Sequence, residues 1–377
     1  SGASSSRLRI GYMSSDFVDH PTADLILRAL LLHDKDRFDV YCYSITNHAN
    51  SEYRRRLKHH IPNFKNLAKK DSDDKCAEII AQDGIHILIN LNGHTAGDRN
   101  GISSLRPAPI QVVYLAYPGT SGADYIDFNV VDDHVCPPEH REFYSEKLIR
   151  MPHCYQVNSF NDLYQDVLRS ETLPKRRDHF LPDKPAVVLC NFCRLGRISQ
   201  ELFDAWLRIM RRVEGSILWL YSHPRAAANR LRDYARRQDF PTDRIIFAPP
   251  CSPKLQHMKR LTLADLYLDT LVYNGHTTAS DVLWAGVPIV TVKGSNWPSL
   301  VATSLARSVG LPEMVATSLE EYEEMAVDLA SNPEKLQGLR SKLCRNRLTQ
   351  PLFDNERWVR SFENALETIW KTWENGE

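Results

Sequence analysis

The feature that most constrains this chain is an alternation that occurs twice. Short apolar runs rich in Val, Ile and Tyr alternate with longer segments whose apolar residues recur at helical spacing. In the first series the runs 8–13, 38–45, 85–91, 110–116 and 126–131 read as strands, and 23–32, 52–60 and 73–82 as helices. In the second, 186–192, 217–221, 245–247, 266–268 and 288–292 read as strands, with helices over 200–213, 226–237, 277–285, 299–309, 319–330 and 333–345. Strand, helix, strand, repeated, predicts βαβ units and mostly parallel sheets. Residues 155–185, between the two series, are polar and carry Pro174, Pro182 and Pro185. The expected organisation is an N-terminal lobe over 1–165, a linker over 166–185 and a C-terminal lobe over 186–350. A terminal helix in 351–377, apolar at Trp358, Phe362, Leu366 and Ile369, is expected to pack back on the N-terminal lobe. Both lobes are doubly wound in this reading. Ligands of open α/β sheets lie outside the strand carboxyl ends, so the site is expected in the cleft between the lobes.

Composition excludes several classes. Lys+Arg and Asp+Glu both number 47, so the chain lacks the basic excess of a general nucleic-acid or membrane-surface binder. No apolar run approaches the roughly 20 residues of a membrane span. The polar lead Ser1-Gly2-Ala3-Ser4-Ser5-Ser6 lacks the apolar centre of a signal peptide. Eight scattered cysteines are too sparse for a disulfide scaffold and read as a reducing compartment, cytoplasm or nucleus. Cys190 and Cys193 form an isolated CxxC, read as small buried residues at a strand end. No period of 20–50 residues recurs, so no helical-repeat array is expected within the chain.

The richest stretch runs from Asp269 to Asp281. A strand ends, a turn carries Tyr273, Asn274, Gly275 and His276, and Thr277 and Thr278 open a helix. Free N–H groups and two hydroxyls at a helix start suit a diphosphate. Asp281 stands one turn on, placed for a ribose diol; the alternative is that Thr277 merely caps the helix. Upstream, Lys254, His257 and Arg260 share a helix face at i, i+3, i+6, where cations would neutralise a dianionic leaving group, the catalytic role expected of Lys254, or grip a nucleotide; the alternative is a solvated basic face. Arg194 and Arg197 follow the first strand of the second series and offer guanidiniums to phosphates. In the first series, Asp16, His20 and Thr22 lie in the first strand-to-helix loop, where Asp16 and His20 suit an acid–base pair. The loops 90–95 and 115–122 also follow strands and bring backbone toward a sugar. Asp71-Ser72-Asp73 spells a DxD but sits in a charge run with Lys69, Lys70 and Lys75, and reads as a solvated helix start.

These residues resemble the catalytic region of the protein O-GlcNAc transferase and SPINDLY-like family over about 8–373. The resemblance rests on Gly11-Tyr12 to Asp16 with His20-Pro21-Thr22, on Leu105-Arg106-Pro107-Ala108-Pro109-Ile110-Gln111, and on Tyr117-Pro118-Gly119-Thr120-Ser121-Gly122. It continues in Tyr144-Ser145-Glu146-Lys147-Leu148 and in Asn274 to Asp281 with Val282-Leu283-Trp284-Ala285-Gly286. It implies a GT-B fold, an inverting transfer without metal or cofactor, and UDP-GlcNAc as donor to Ser/Thr of intracellular proteins. It places His20 and Asp16 at the acceptor hydroxyl, with a donor phosphate oxygen as the rival base. Thr22, Leu115, Ala116, Pro118, Tyr273 and His276 would line the sugar. Arg194, Ser252, Lys254, His257 and Arg260 would hold the uridine part, His276, Thr277 and Thr278 the diphosphate, and Asp281 the ribose.

The departures are specific. Arg197 stands at the family's catalytic lysine and Gly196 at a frequent Tyr. Arg194 stands at a frequent Gln and Tyr273 at a cysteine of animal enzymes. The long insert between lobes is missing, and the tetratricopeptide repeats expected N-terminal in the full-length protein are not in this chain. Two alternatives remain: a GDP-fucose protein O-fucosyltransferase, and a non-catalytic nucleotide-sugar-binding domain.

Overall fold

A computed structural model describes residues 7–47, 51–68, 72–169, 174–183 and 186–376. The chain divides into two units, Ser1–Leu163 with Pro351–Glu377, and Tyr164–Gln350. The first holds strands β1 (Leu8–Ser14), β2 (Phe38–Ser44), β3 (Asn63–Asn66), β4 (Ile87–Asn90), β5 (Ile110–Val113), β6 (Phe128–Asp132) and β7 (Lys147–Met151). Their order is β3-β2-β1-β4-β5-β6-β7, and the pairings are parallel. The second holds β8 (Val188–Asn191), β9 (Ile217–Tyr221), β10 (Ile245–Ala248), β11 (Leu266–Leu268), β12 (Ile289–Val292) and β13 (Val315–Ala316), in the order β10-β9-β8-β11-β12-β13, also parallel. This is the doubly wound architecture of GT-B glycosyltransferases, once in each unit.

Burial on both faces explains why the central strands read as continuous apolar runs. Every residue of β4, β5 and β8 is buried. β3 and β7 lie at the two edges of the first sheet and were not legible. Asn63-Phe64-Lys65-Asn66 is only half-buried throughout, and β7 exposes Lys147 and Arg150. Each sheet reverses its winding beside its first strand, between β1 and β4 and between β8 and β11. The loops leaving those four strands are where such a sheet binds ligands.

The helices follow their patterns. Ser199 caps the helix Gln200–Arg212, accepting from Leu202 N–H, and the helix buries Leu202, Phe203, Trp206, Ile209 and Met210. The terminal helix Asn355–Glu374 is capped by Asp354 and buries Trp358, Val359, Phe362 and Leu366 against the first unit. It also buries Glu363 completely. Glu363 Oε1 accepts from His33 Nδ1 at 3.0 Å and from Asp34 N–H at 2.8 Å, and Oε2 is paired with Arg360. His33 Nε2 accepts from Tyr12 O–H at 2.7 Å. Burial holds the His33 pKa below its ordinary value, against the pull of Glu363, so a neutral ring links strand β1 to the terminal helix.

The segment read as a linker over 166–185 groups with the second unit, whose boundary falls at Tyr164. The reason is Arg176, nearly buried, which donates to Asp265 Oδ2 and Ala186 O at 2.6 Å. Ser72 caps the helix Asp73–Gln82, and Asp73 pairs with Arg99; Asp71, Lys69 and Lys70 of the same charge run lie outside the described residues. Among the described residues no group of three or more His, Cys, Asp or Glu could hold a metal ion. No described helix is long and apolar enough to cross a membrane. All eight cysteines are free, six of them buried, with Cys190 and Cys193 among those six.

Candidate functional site

The loop after β1 carries the first cluster. His20 is the N-cap of the helix Pro21–Leu32, and its Nδ1 accepts from Thr22 N–H at 3.2 Å. The same Nδ1 lies 3.4 Å from Asp16 Oδ2. Asp16 is almost buried, and its two oxygens are shared among neighbours. Oδ1 accepts from Ser15 Oγ at 2.7 Å, while Oδ2 accepts from Asn92 Nδ2 at 3.2 Å and Thr22 Oγ1 at 3.3 Å. Asn92 belongs to the loop after β4, so the two loops at the switch point are bonded to each other. The sequence placed Asp16, His20 and Thr22 together; it did not single out Asn92, whose amide fixes the carboxylate.

The loop after β5 joins this cluster through its backbone. Leu115 is held at φ +84°, and Ala116 N–H reaches both Tyr114 O at 3.3 Å and Leu91 O at 3.2 Å. The first of these bonds closes a three-residue γ-turn, a strained geometry that persists only where its surroundings impose it. The Leu115 side chain is buried, so what this residue can offer a ligand is main chain. Ala116 and Pro118 are half-exposed beside it. Below the turn, burial pushes the Glu146 carboxyl up, but hydrogen bonds from Ser121 and Thr120 outweigh this and hold its pKa below the ordinary value. That carboxylate anchors the glycine-containing segment that follows Pro118.

In the second unit the loops after β8 and β11 meet. Arg197 Nη1 donates to Asn274 O at 2.8 Å, and its guanidinium lies 3.9 Å from the Tyr273 ring centre. Tyr273 stacks on His276 at 4.5 Å. His276 Nε2 lies 3.1 Å from Pro298 O, which can only accept, so Nε2 carries the proton and Nδ1 is bare. Burial pushes the His276 pKa down to about 3, with Arg197 acting in the same direction. His276 is also the N-cap of the helix Thr277–Trp284, but its side chain makes no capping bond. The first N–H groups of that helix and the Thr277 and Thr278 hydroxyls thus form an uncapped donor-rich end. Gly275 is required there: a Cβ would meet the Tyr267 hydroxyl at 2.7 Å.

The helix Lys254–Leu261 supplies the remaining cations. Lys254 Nζ lies 3.1 Å from Asp281 Oδ1 and 5.7 Å from the Tyr164 ring centre. His257 Nδ1 accepts from Arg260 Nε at 3.0 Å, which leaves Nε2 as its donor. Burial, with Arg260 and Lys254 adding to it, pushes the His257 pKa down to about 3. Arg260 is itself buried and donates to Pro249 O at 2.6 Å. It therefore orients His257 rather than standing open to a ligand. Arg194 and Ser252 are exposed, and no bond among the described residues ties their side chains to the others.

Comparison with known proteins agrees with this frame. A probable UDP-N-acetylglucosamine–peptide N-acetylglucosaminyltransferase SEC of Arabidopsis thaliana is 45% identical over 97% of this chain and 37% of its own length. A UDP-N-acetylglucosamine–peptide N-acetylglucosaminyltransferase of Caenorhabditis elegans is 32% identical over 98% of the chain and 41% of its own. The chain thus spans about two fifths of the length of these curated relatives. The solved O-GlcNAc transferase of Thermobaculum terrenum, a mutant form, superposes with a TM-score of 0.85 at 29% identity, covering 97% of this chain and 68% of that one. The profile of Glycosyl transferase family 41 matches residues 1–180 and 164–362, and the chain belongs to that family.

Proposed function

We propose that this region is an inverting protein O-GlcNAc transferase that moves GlcNAc from UDP-GlcNAc to Ser or Thr hydroxyls. The observation that carries the reading is the uncapped start of the helix Thr277–Trp284. It stands beside Arg197, His276 and the Lys254–Asp281 pair, and so offers backbone donors and positive charge to a diphosphate. In this reading Lys254 and Asp281 hold the ribose, and His257, oriented by Arg260, donates Nε2–H to the uridine part. Arg194 and Ser252 contribute at the exposed rim. Tyr273, His276, Thr22, Leu115, Ala116 and Pro118 are the residues this reading assigns to the sugar.

The acceptor oxygen attacks the anomeric carbon while the bond from that carbon to the diphosphate breaks on the opposite face. The released electron pair goes to the phosphate oxygen, stabilised by the helix N–H groups, Arg197 and Lys254. The acceptor proton goes to His20 Nε2. That requires the tautomer with Nδ1–H, and Asp16 Oδ2 at 3.4 Å is the group that favours it. In the alternative tautomer Nδ1 accepts from Thr22 N–H and the ring only caps its helix. The fully free set of cysteines fits a cytoplasmic or nuclear enzyme. Tetratricopeptide repeats N-terminal to this region, as in the family resemblance, complete the proposed full-length protein.

One observation favours a second reading, a domain that binds the nucleotide sugar without turnover. Arg197 is already engaged with Tyr273 and Asn274 O, where the family has a compact ammonium. Calorimetry with UDP, UDP-GlcNAc and GDP-fucose, followed by incubation with a Ser/Thr-rich peptide, decides. UDP binding with GlcNAc transfer is the expected result. UDP binding without transfer, with the repeat-bearing protein also inactive, favours the second reading. Preference for GDP-fucose moves the protein to fucosyl transfer.

A further inference from the structure

Asp269 is a fully enclosed carboxylate one residue beyond β11, and the mechanism above does not use it. Its Oδ1 accepts from Gly275 N–H at 2.7 Å, six residues along the same loop. Its Oδ2 accepts from Thr291 Oγ1 on β12 at 2.8 Å. Its main-chain N–H donates to Val290 O at 3.0 Å, and its carbonyl accepts from Tyr322 O–H at 3.1 Å. Tyr322 in turn accepts from Trp206 Nε1 at 2.9 Å, so a buried chain of bonds ties the loop to two helices packed on the sheet. The loop between Asp269 and Gly275 has a second set of ties. Asn274 Nδ2 donates to Thr270 O, Thr270 Oγ1 donates to Tyr273 O, and Asn274 Oδ1 accepts from Ala302 N–H. The Asn274–Gly275 peptide itself is held at its N–H by Asp269 and at its carbonyl oxygen by Arg197 Nη1, and of these two the carboxylate is the buried, sheet-anchored one. The Tyr267 hydroxyl forms the floor beneath it, close enough to exclude any Cβ at residue 275.

A carboxylate in such a place is costly, and burial pushes its pKa up to about 7 although Gly275 and Thr291 oppose the shift. The cost is met by a bond that sets where the next three residues begin. We infer that Asp269 is a positioning residue of the donor site: it fixes Gly275, and through Gly275 the placement of His276, Thr277 and Thr278. The inference rests on the donor-site reading proposed above, and the test separates the two.

UDP binding by calorimetry is compared among wild type, Asp269→Asn, Asp269→Leu and Gly275→Ala, together with backbone hydrogen exchange over 270–280 and over 200–212. Asn keeps an acceptor for Gly275 N–H, whereas Leu keeps the volume without one. The expected result is Asn within about threefold of wild type and Leu weaker by about tenfold or more. In the Leu variant exchange is faster in 270–280 and unchanged in 200–212. Gly275→Ala, which displaces the turn while leaving Asp269 intact, is expected to lose about as much binding as Leu and serves if the Leu variant does not fold. Wild-type-like binding and exchange in Leu overturns the inference. Exchange that rises equally in both segments also overturns it, since Asp269 would then only hold the core. If wild type binds no UDP, the donor-site reading fails, while exchange over 270–280 still judges what Asp269 does to the turn.

Discussion

Two histidines occupy the N-cap position of helices that follow strands beside a switch point, and they differ in their partners and in how firmly their tautomer is set. His20 follows β1, is 45% exposed at its side chain, and uses Nδ1 for its own helix or for Asp16. His276 follows β11, leaves its helix uncapped, and is locked in one tautomer by Pro298 O with its pKa pushed down to about 3. A ring with two competing partners at one nitrogen can change its proton position at little cost. A ring held neutral with a committed donor cannot. In the proposed reaction, this difference suits the first loop to proton transfer and the second to fixed hydrogen bonding.

The largest effect expected is at the first histidine. His20→Asn retains an acceptor for Thr22 N–H and removes the proton acceptor, so turnover should fall by about 10²–10⁴-fold with UDP affinity and melting temperature unchanged. Steady-state rates of the variant check this; turnover near wild type would leave His20 only a cap. On the other side, Lys254→Ala removes a charge that meets both Asp281 and the proposed leaving group. Turnover should drop by orders of magnitude and UDP affinity with it, while circular dichroism reports an intact fold; near-normal rates would remove Lys254 from the site.

The pH dependence of stability sharpens the contrast within the second unit. His257 and His276 stay neutral when folded, with pKa values of about 3, but bind protons below about 6.5 when unfolded. Their contribution is complete above about 6.5 and is lost as pH falls toward 3. Asp269, with its pKa raised to about 7, works in the opposite direction. The folded state holds its proton from about 4 to 7, so stability falls as pH rises across that window. His257→Gln should therefore flatten the acid limb of a melting-temperature profile, and Asp269→Asn should steepen it. A profile unchanged by both would mean that these rings and this carboxyl do not titrate as their burial requires.

The smallest effect is a control away from both loops. Ser72→Ala should cost roughly 0.5–1 kcal/mol through loss of the cap to Lys75 N–H. It should leave turnover alone, with and without chelator. Loss of activity there would revive a metal role for the acidic run.

Legibility followed the kind of information each feature needs. The loops after β1, β8 and β11 were readable because strand ends, glycines, histidines and threonines announce themselves within ten residues. Asp16, His20 and Thr22 are together in space because they are together in sequence. Asn92 and Asp269 were not readable as partners, since their roles are set by contacts with Asp16 and with a backbone amide that local pattern does not encode. Glu363 was the least legible of all. In sequence it belongs to an amphipathic helix; in the structure it is buried against His33, 330 positions away. The edge strands β3 and β7 escaped because half-exposed strands carry the polar residues that define a loop.

The path of the chain has a consequence for damage. The second unit is one uninterrupted stretch, Tyr164–Gln350, inserted into a first unit that is completed only by the final residues. A message that stops after Gln350 would still encode every group assigned here to the nucleotide. The injury would appear at the opposite end of the sequence. His33, bonded on its other side to Tyr12, would lose the acceptor of its Nδ1–H, and Tyr114 would lose the indole ring of Trp358 stacked on it and the tilted phenyl ring of Phe362. Nonsense mutations that fall after Gln350 in this region should therefore be read as lesions of its first unit.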